Sequence, residues 1–145
     1  MNSHQVDVFF YGSYINFAVL AEAEIDERPY RIARLPGYRL TISPLANLVR
    51  DESSEAYGIL TRLTHRELDG LYVGHAQEKL GGTYLPEAVV VTTAENISLP
   101  ALCYLSHDMR PSKPDSAYVD RILNPARRYG FPAEYLRHIA SFSGN

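Results

Sequence analysis

Apolar residues recur along the chain in short runs, and the first of these runs, Val6–Tyr11, ends abruptly at Gly12. Nearly every position of that run is apolar or aromatic, which predicts a buried strand that gives way to a turn at the glycine. Residues 89–93 are all β-branched and predict the strongest strand of the chain. The pattern as a whole predicts five strands: Val6–Tyr11, Tyr38–Ser43, Ala56–Leu63, Tyr84–Thr93 and Leu99–Leu105.

The strands with the strongest apolar pattern are expected to supply one hydrophobic core. Between two of them, Glu52 and Glu55 flank a pair of serines, which is typical of a hairpin loop. The residues predicted to share the core are Phe9, Phe10, Ile59, Val89, Val91 and Leu102.

Two short helices are predicted between the strands. Asn16–Ile25 is rich in alanine and leucine, which favours a helix or a helical turn. Residues 64–67, Thr-His-Arg-Glu, form a capping-box pattern, which predicts a second helix that runs through Leu71.

The C-terminal tail is predicted to be helical from about Asp115 or Ser116. Asn124-Pro125 resembles a fresh N-cap followed by a first-turn proline, so the tail is expected to split or kink there. Gly130 is expected to end that helix, and Pro132 to begin a last one that runs through residue 140.

This order of elements predicts an α+β fold in a single domain, residues 1–145. Strands come first with short helices between them, and helices gather at the end of the chain. Too few long helices are predicted to provide the crossovers of a parallel sheet.

Composition excludes several function classes. The net charge is −3, and the arginines of the tail alternate with acidic residues, so nucleic-acid binding is not expected. The histidines lack the spacing of metal ligands, and the single cysteine, Cys103, lies in an apolar run that predicts a buried, unpaired thiol. No secretory signal and no apolar stretch of about 18 residues is present, so a cytoplasmic protein without a membrane span is expected.

The junction at Gly12 is the first candidate site. Glycine accepts positive φ angles and allows a ligand close to the backbone, so the amides after it could bind an anion or a carbonyl oxygen. No lysine or arginine stands near residues 11–15 to bind an anion instead. A tight turn with a serine cap explains the same residues without any ligand.

Glu78 is the second candidate. It stands between a predicted helix and the strongest strand, just before Gly81-Gly82. Pointing inward, its carboxylate would be desolvated and suited to act as a general base. Pointing outward, Glu78 and Lys79 would be surface charges, which is the usual state of a glutamate.

Several short motifs stand in order along the chain, and their shared order is difficult to produce by chance. They are Phe10-Tyr11-Gly12-Ser13, Leu35-Pro36-Gly37-Tyr38-Arg39-Leu40, Ala46-Asn47-Leu48, Ala56-Tyr57-Gly58-Ile59-Leu60, Leu68-Asp69 with Leu71-Tyr72, Tyr84-Leu85-Pro86-Glu87-Ala88-Val89, and Tyr118 with Ala126, Tyr129-Gly130-Phe131-Pro132 and Tyr135. Together they resemble the γ-glutamylcyclotransferase-like (AIG2-like) family. Gly74–Gln77 looks like an insertion relative to the family, and Tyr14 replaces its more usual asparagine or leucine.

The resemblance implies a mixed β-barrel with flanking short helices and a cofactor-free enzyme. Its substrate would be a γ-glutamyl amine or γ-glutamyl amino acid, which cyclises by intramolecular aminolysis to 5-oxoproline and releases the amine. Glu78 stands six residues before Tyr84, where the family has its catalytic glutamate, so the resemblance favours the inward orientation. The substrate-binding residues that it implies are Tyr11, Gly12, Ser13, Tyr14, Ile15, Tyr84 and Tyr118.

Two alternatives share the same fold. The first is a non-catalytic module that binds a small ligand or another protein in the same pocket, which an outward-facing Glu78 would favour. The second is a related enzyme acting on a γ-glutamylated antibiotic precursor or a γ-glutamyl-ε-lysine link. The leaving amine and the oligomeric state are not encoded in any motif of the chain.

Overall fold

The computed structural model describes residues 4–143, and its strands close into a barrel. The strand order is β1-β3-β2-β4-β5, with antiparallel pairing between neighbours. β5 returns to β1 in parallel, where Leu102 pairs with Val8. The strands are β1 (Gln5–Phe10), β2 (Tyr30–Ile42), β3 (Ala46–Thr64), β4 (Leu85–Thr93) and β5 (Ser98–Leu105).

Short helices flank the barrel. A stretch of π-helix, Gly70–Gln77, joins the second and third helices, and a 3₁₀ turn, Ser13–Ile15, follows β1. This arrangement confirms the predicted α+β barrel. The helices are α1 (Phe17–Glu22), α2 (His65–Asp69), α3 (Glu78–Leu80), α4 (Ser116–Tyr129) and α5 (Ala133–Ala140).

The core extends from the barrel interior to the surface that the helices cover, and five of the six predicted core residues are buried in it. These are Phe9, Phe10, Ile59, Val89 and Val91. Leu102 packs against this core but is only half-buried. Side chains alternate between the two faces of a strand, and β5 turns Ala101, Cys103 and Leu105 inward instead.

Cys103 is fully buried, as predicted. Burial, together with the negative charge of Glu87, raises the pKa of this thiol to about 12. A thiol with so high a pKa stays protonated near neutral pH and is unreactive.

β2 and β3 form the longest pairing of the barrel, and the hairpin loop predicted around residues 52–55 does not exist. Pro36 pairs with Glu55 and Tyr38 pairs with Arg50, so residues 51–54 bulge out of β3 opposite a single glycine. The Asp51 carboxylate accepts hydrogen bonds from Ser53 and Ser54 within this bulge. Small polar residues indicate a change of backbone direction but do not distinguish a bulge from a turn.

α4 runs unbroken through Pro125, so the predicted split of the tail was wrong. A proline has no amide hydrogen to donate to the carbonyl four residues earlier, here that of Arg121. The Asn16 side chain supplies the missing donor, since its amide nitrogen lies 3.0 Å from the Arg121 carbonyl oxygen. Gly130 ends the helix with φ +75°, as expected for a C-cap glycine.

The flanking helices are held against the barrel by polar contacts. On α5, the His138 imidazole contacts the Leu40 carbonyl at 2.7 Å.

Within residues 4–143, no helix has the length and apolar character needed to cross a membrane.

Candidate functional site

A narrow cavity lies where β1 leaves the barrel. Its volume is about 30 Å³, enough for one or two water molecules. Its lining is mostly aromatic and apolar, and no acidic side chain of residues 4–143 belongs to it. The lining residues are Phe10, Tyr11, Gly12, Ser13, Tyr14, Leu45, Ala46, Tyr72, Ala76, Leu80, Tyr84 and Tyr118.

One side of the cavity is the segment Gly12–Asn16, called here the loop wall. Gly12 has φ −111°, so the positive φ expected there is not used. The glycine is required for another reason, because a Cβ atom at this position would lie 2.6 Å from the Cβ of Ala46. The close approach of β3 to the loop therefore selects glycine.

α4 fixes the loop wall from behind. Besides bonding Arg121, the Asn16 side chain accepts a hydrogen bond from the Ala18 amide and so caps α1. The Tyr129 hydroxyl donates to the Ile15 carbonyl at 2.6 Å. These bonds tie the turn after β1 to the C-terminal helix that follows in the chain about 100 residues later.

Two amides of the loop wall have no partner in the described part of the chain. The 3₁₀ turn begins at Ser13, and the first amides of such a turn lack an acceptor within it. Within residues 4–143, neither the Ser13 amide nor the Tyr14 amide donates a hydrogen bond to a protein acceptor. The Ile15 amide donates to the Gly12 carbonyl at 3.1 Å, so this residue of the predicted binding set does not offer its amide to a ligand.

The tyrosines around the cavity are mostly anchored by their hydroxyls. Tyr11 donates to the Tyr104 carbonyl at 2.6 Å. Tyr84 donates to the Ala46 carbonyl, and Tyr118 accepts from the Ala46 amide at 3.0 Å. These three members of the predicted set do surround the cavity, and their hydroxyls orient the rings around Ala46 and β5.

Tyr72 is the exception, and the sequence analysis did not predict it as a site residue. Its ring stacks on Tyr104 with the ring centroids 3.8 Å apart. Within residues 4–143 its hydroxyl makes no hydrogen bond, and because no fully buried side-chain oxygen of these residues lacks a partner, this hydroxyl is accessible although the residue as a whole is only 7% exposed. Burial raises the pKa of this phenol well above its ordinary value, so the hydroxyl remains a donor near neutral pH.

The opposite side of the cavity is the segment Gly70–Leu80, called here the helical wall. It contains Gly74–Gln77, the residues that look like an insertion, and these residues form the second half of the π-helix. The segment ends at Gly81, which has φ +79°, and the amides of Gly81 and Gly82 bond to the carbonyls of Gln77 and Ala76.

Glu78 lies on the outer face of the helical wall. Tyr72, Ala76 and Leu80 of this segment line the cavity, whereas Gln77, Glu78 and Lys79 are exposed. The expectation that Glu78 points inward was therefore wrong. The spacing between Glu78 and Tyr84 could not reveal the orientation of Glu78, because the π-helix before it changes which residues of the segment face the barrel.

The titratable group that the helical wall buries is His75, which is 4% exposed. Its Nδ1 lies 2.9 Å from the Tyr14 hydroxyl, and its Nε2 lies 3.1 Å from a carboxylate oxygen of Glu22. Arg121 donates to the other oxygen of Glu22. A histidine inside an apparent insertion carries no sequence signal for such contacts, since its partners are more than 50 residues away.

Partial burial alone would raise the pKa of Glu22. Hydrogen bonds and charge from Arg121 and His75 outweigh that effect, so the pKa of the carboxyl lies below its usual range. Glu22 is therefore ionised near neutral pH. Among residues 4–143, no three potential metal ligands come together at this or any other place.

An open groove of about 340 Å³ adjoins the cavity. Leu45 and Leu80 line both spaces and thus separate them. The far side of the groove carries Asp108 and Arg110. A ligand longer than the cavity would extend past these two leucines into the groove.

Solved structures with this fold cover nearly the whole chain. A human protein described as uncharacterized LOC79017 has a TM-score of 0.79 and 19% identity, over 97% of this chain and 89% of its own. A gamma-glutamyl cyclotransferase has a TM-score of 0.78 and 20% identity, over 98% and 90%. A yeast gamma-glutamyl cyclotransferase specific to glutathione has a TM-score of 0.61 and 11% identity, over 98% and 96%. These likenesses establish the fold.

No curated protein matches the chain. The family model described as the AIG2-like family matches residues 55–139, which is more than half of the sequence. The matched region includes residues 55–64 of β3, the whole helical wall, β4, β5, α4 and all but the last residue of α5. The chain therefore belongs to the AIG2-like family, as its motifs indicated.

Proposed function

We propose that this protein binds a small γ-glutamyl compound in the cavity and cyclises it to 5-oxoproline with release of the amine. The observation that carries the proposal is the pair of unpaired amides at Ser13 and Tyr14 on the loop wall. Ser13 and Tyr14 both line the cavity of this AIG2-like barrel, so their amides are the backbone donors that a ligand there would meet.

This cyclisation requires few catalytic groups from the protein. The nucleophile is the α-amine of the substrate itself, so holding the chain in a bent conformation gives a large proximity advantage. Backbone amides directed at the γ-carbonyl oxygen stabilise the negative charge that develops there during attack. The protein must also accept protons from the attacking nitrogen and return protons to the leaving nitrogen.

Tyr72 is assigned to substrate recognition. Tyr72 lines the cavity, and its hydroxyl makes no hydrogen bond within residues 4–143, so it is free to donate to a ligand. A carboxylate or carbonyl oxygen of the substrate would accept its hydrogen bond. Tyr104, stacked against it outside the cavity lining, offers a matched control.

The size of the cavity bears on how the substrate is placed. At about 30 Å³ it accommodates only the tip of a γ-glutamyl group, so binding requires Leu45 and Leu80 to move apart. The leaving amine would then occupy the groove beyond these leucines. Arg110 would face the carboxylate of a leaving amino acid, which favours γ-glutamyl amino acids over simple amines.

A second candidate function is binding without turnover. It is favoured by the position of Glu78, since the carboxylate that the resemblance assigns as general base is exposed and does not line the cavity. The catalytic role of Glu78 stays a prediction and is not part of the proposal made here.

One experiment separates the two candidates. The purified protein is incubated with a panel of γ-glutamyl amino acids and γ-glutamyl amines, and 5-oxoproline release is measured beside ligand binding by calorimetry. Cyclisation predicts release from at least one compound. Tyr72→Phe should weaken binding by roughly 3- to 10-fold, because one hydrogen bond contributes about 0.5–1.5 kcal/mol, and Tyr104→Phe should bind as the parent does. Binding without release would establish the binding module, and neither binding nor release would refute both.

A further inference from the structure

His75 is a buried titratable side chain beside the cavity that the proposed function has not used. Both of its ring nitrogens are bonded to side chains from other elements, Tyr14 after β1 and Glu22 at the end of α1. Tyr14 lines the cavity. A hydroxyl, an imidazole and a carboxylate are therefore hydrogen-bonded in sequence, and the residue that carries the hydroxyl lines the cavity.

The acceptor character of Glu22 fixes the direction of these hydrogen bonds. An ionised carboxylate only accepts, so in its neutral form the His75 ring must carry its hydrogen on Nε2 and donate it to Glu22. Nδ1 is then an acceptor, and the Tyr14 hydroxyl donates to it over 2.9 Å. If His75 gains a proton, Nδ1 becomes a donor to Tyr14, whose hydroxyl can turn to the Leu71 carbonyl 3.3 Å away.

Glu22 connects this chain of groups to solvent. Its side chain is 46% exposed, compared with 4% for His75. Arg121 compensates its charge on the side away from the imidazole. An imidazolium formed at His75 would therefore have a carboxylate directly on its Nε2 hydrogen, as in hydroxyl–imidazole–carboxylate sites of many enzymes.

We propose that Tyr14, His75 and Glu22 form a proton relay that serves ring closure in the cavity, in place of a carboxylate base. This inference rests on the proposed function and deepens it. Tyr14 is the group that would contact the substrate, and His75 and Glu22 act through it as positioning and proton-holding residues.

The relay accounts for every proton of the reaction. The α-ammonium has three hydrogens, the lactam nitrogen keeps one, and the leaving nitrogen gains two. The ammonium gives its first proton to the Tyr14 oxygen while the Tyr14 hydroxyl proton passes to His75 Nδ1. The free amine then attacks the γ-carbonyl carbon and forms the ring C–N bond.

The second half of the reaction runs the relay in reverse and then repeats it. The proton held at His75 returns through Tyr14 to the leaving nitrogen, and the bond between the γ-carbon and that nitrogen breaks. The ring nitrogen gives its second proton to the relay, which passes it to the released amine. His75 ends the cycle neutral, and no further reactant is consumed.

Tyr14 is suited to pass protons without losing its own. Burial, helped by the neighbouring Tyr118 and Glu22, raises the pKa of Tyr14 far above its ordinary value, so a tyrosinate does not accumulate. Transfer through its oxygen must then be concerted with transfer to His75. Removing either partner should disable the same step.

The test compares His75→Gln and Tyr14→Phe with the parent protein. Glutamine keeps hydrogen-bonding groups near Glu22 but cannot take a proton at neutral pH, and phenylalanine keeps the ring and the backbone amide at position 14. Each variant should lower kcat by about 10²-fold or more, since positioned acid–base groups contribute roughly 10²–10⁴. KM should remain within about threefold because the amides and Tyr72 are untouched. The double variant should be no slower than the slower single variant.

His107→Gln is the matched control. His107 also pairs with a glutamate, Glu87 at 2.7 Å, but its side chain is 60% exposed and lies outside the cavity lining. This variant should keep the parent kcat. Urea unfolding of every variant shows whether a lost rate reflects a lost fold.

Parent-like kcat in both His75→Gln and Tyr14→Phe overturns the relay while leaving the proposed function standing. Loss of activity in Glu78→Gln together with full activity in His75→Gln overturns it as well and returns the base to Glu78. A rise in KM without a fall in kcat shows that the network only supports the cavity wall, which also contradicts the relay. No turnover by the parent on any compound overturns the proposed function, and the relay with it.

Discussion

The two walls of the cavity are built differently. The loop wall is tied to α4 through Asn16 and Tyr129 and is pressed against Ala46. The helical wall is a short π-helical segment whose outer residues, 77–79, are exposed. Its inner face is held by a few contacts, among them His75 with Tyr14 and the stacking of Tyr72 on Tyr104.

This difference determines what each wall contributes. The loop wall offers the backbone amides of Ser13 and Tyr14, whose positions depend on the fold more than on the identity of the residues. The helical wall offers side chains, and the path of the helix decides which of them face the cavity. Glu78 and His75 are three positions apart, yet one is exposed and the other is 4% exposed. Binding is therefore expected to depend mainly on the loop-wall amides together with Tyr72, and the reaction on the contact between the two walls, where Tyr14 meets His75.

The largest effect is expected from Gly12→Val. The Cβ atom would lie 2.6 Å from the Cβ of Ala46, closer than two such carbons approach, so the loop wall must shift. We expect ligand binding to be abolished and the free energy of unfolding to fall by about 1–3 kcal/mol. Calorimetric titration with 5-oxoproline and urea unfolding measure the two quantities.

Gly74→Ala on the helical wall is the control for this variant. Its added Cβ meets no atom within 4 Å. Alanine favours helical backbone over glycine, so this variant should bind normally and be equally or slightly more stable. If Gly12→Val binds with parental affinity, the loop wall is not the recognition element.

Asn16→Ala tests how the loop wall is fastened. The change removes the N-cap of α1 and leaves the Arg121 carbonyl, already deprived of a helical donor by Pro125, without a partner. A lost cap costs about 1 kcal/mol, and an unsatisfied carbonyl adds to it, so we expect a loss of about 1–3 kcal/mol in urea unfolding. Asn124→Ala, at an exposed position of the same helix, should change stability little. Equal effects of the two variants would show that Asn16 does not fasten the loop.

Thr64→Ala tests α2, the helix that leads into the helical wall. The Thr64 hydroxyl accepts from the Glu67 amide at 3.1 Å, and the Glu67 carboxylate accepts from the Thr64 amide and from Arg28. Loss of the cap should lower the free energy of unfolding by about 1 kcal/mol and increase amide exchange in α2. Arg66→Ala, exposed on the same helix, should leave both unchanged. Increased exchange in the loop wall would contradict the separation of the two walls.

The smallest effect is expected from the acid titration of Glu22. Since the pKa of this carboxyl is lower in the folded protein than in the unfolded chain, it adds stability above the unfolded pKa of about 4.3. That contribution is lost as the pH falls through the folded pKa. Near neutral pH the parent should therefore be more stable than Glu22→Gln. The difference in the free energy of unfolding should stay below about 1 kcal/mol, because the Glu22–Arg121 pair is exposed. It should decrease as the pH is lowered. A difference that grows on acidification would contradict the assignment.

The features that could be predicted from the sequence are the local ones. The apolar run of β1, the β-branched run of β4, the capping box at Thr64 and the C-cap at Gly130 each depend on a few neighbouring residues. The failures involve distant partners. Pro125 remains inside a helix because Asn16, more than 100 residues earlier, bonds the freed carbonyl.

The residues of the candidate site show the same difference between local and long-range features. All but one of the residues predicted to bind substrate line the cavity, namely Tyr11, Gly12, Ser13, Tyr14, Tyr84 and Tyr118, whereas Ile15 of that set does not. The sequence did not indicate Tyr72 or His75, because both lie on a π-helix. The usual helical period of 3.6 residues does not predict which side chains of a π-helix face the barrel. Glu78 was misplaced for the same reason.

The unpaired amides of the loop wall are expected to bind the ligand. Titration of ¹⁵N-labelled protein with 5-oxoproline, with the amide signals followed by NMR, tests this binding most directly. We expect the Ser13 and Tyr14 amides to show the largest downfield shifts, because they form new hydrogen bonds to an oxygen. The Ile15 amide, already bonded to Gly12, should change less. Saturable shifts confined to another part of the barrel, with the Ser13 and Tyr14 amides unmoved, would contradict this expectation.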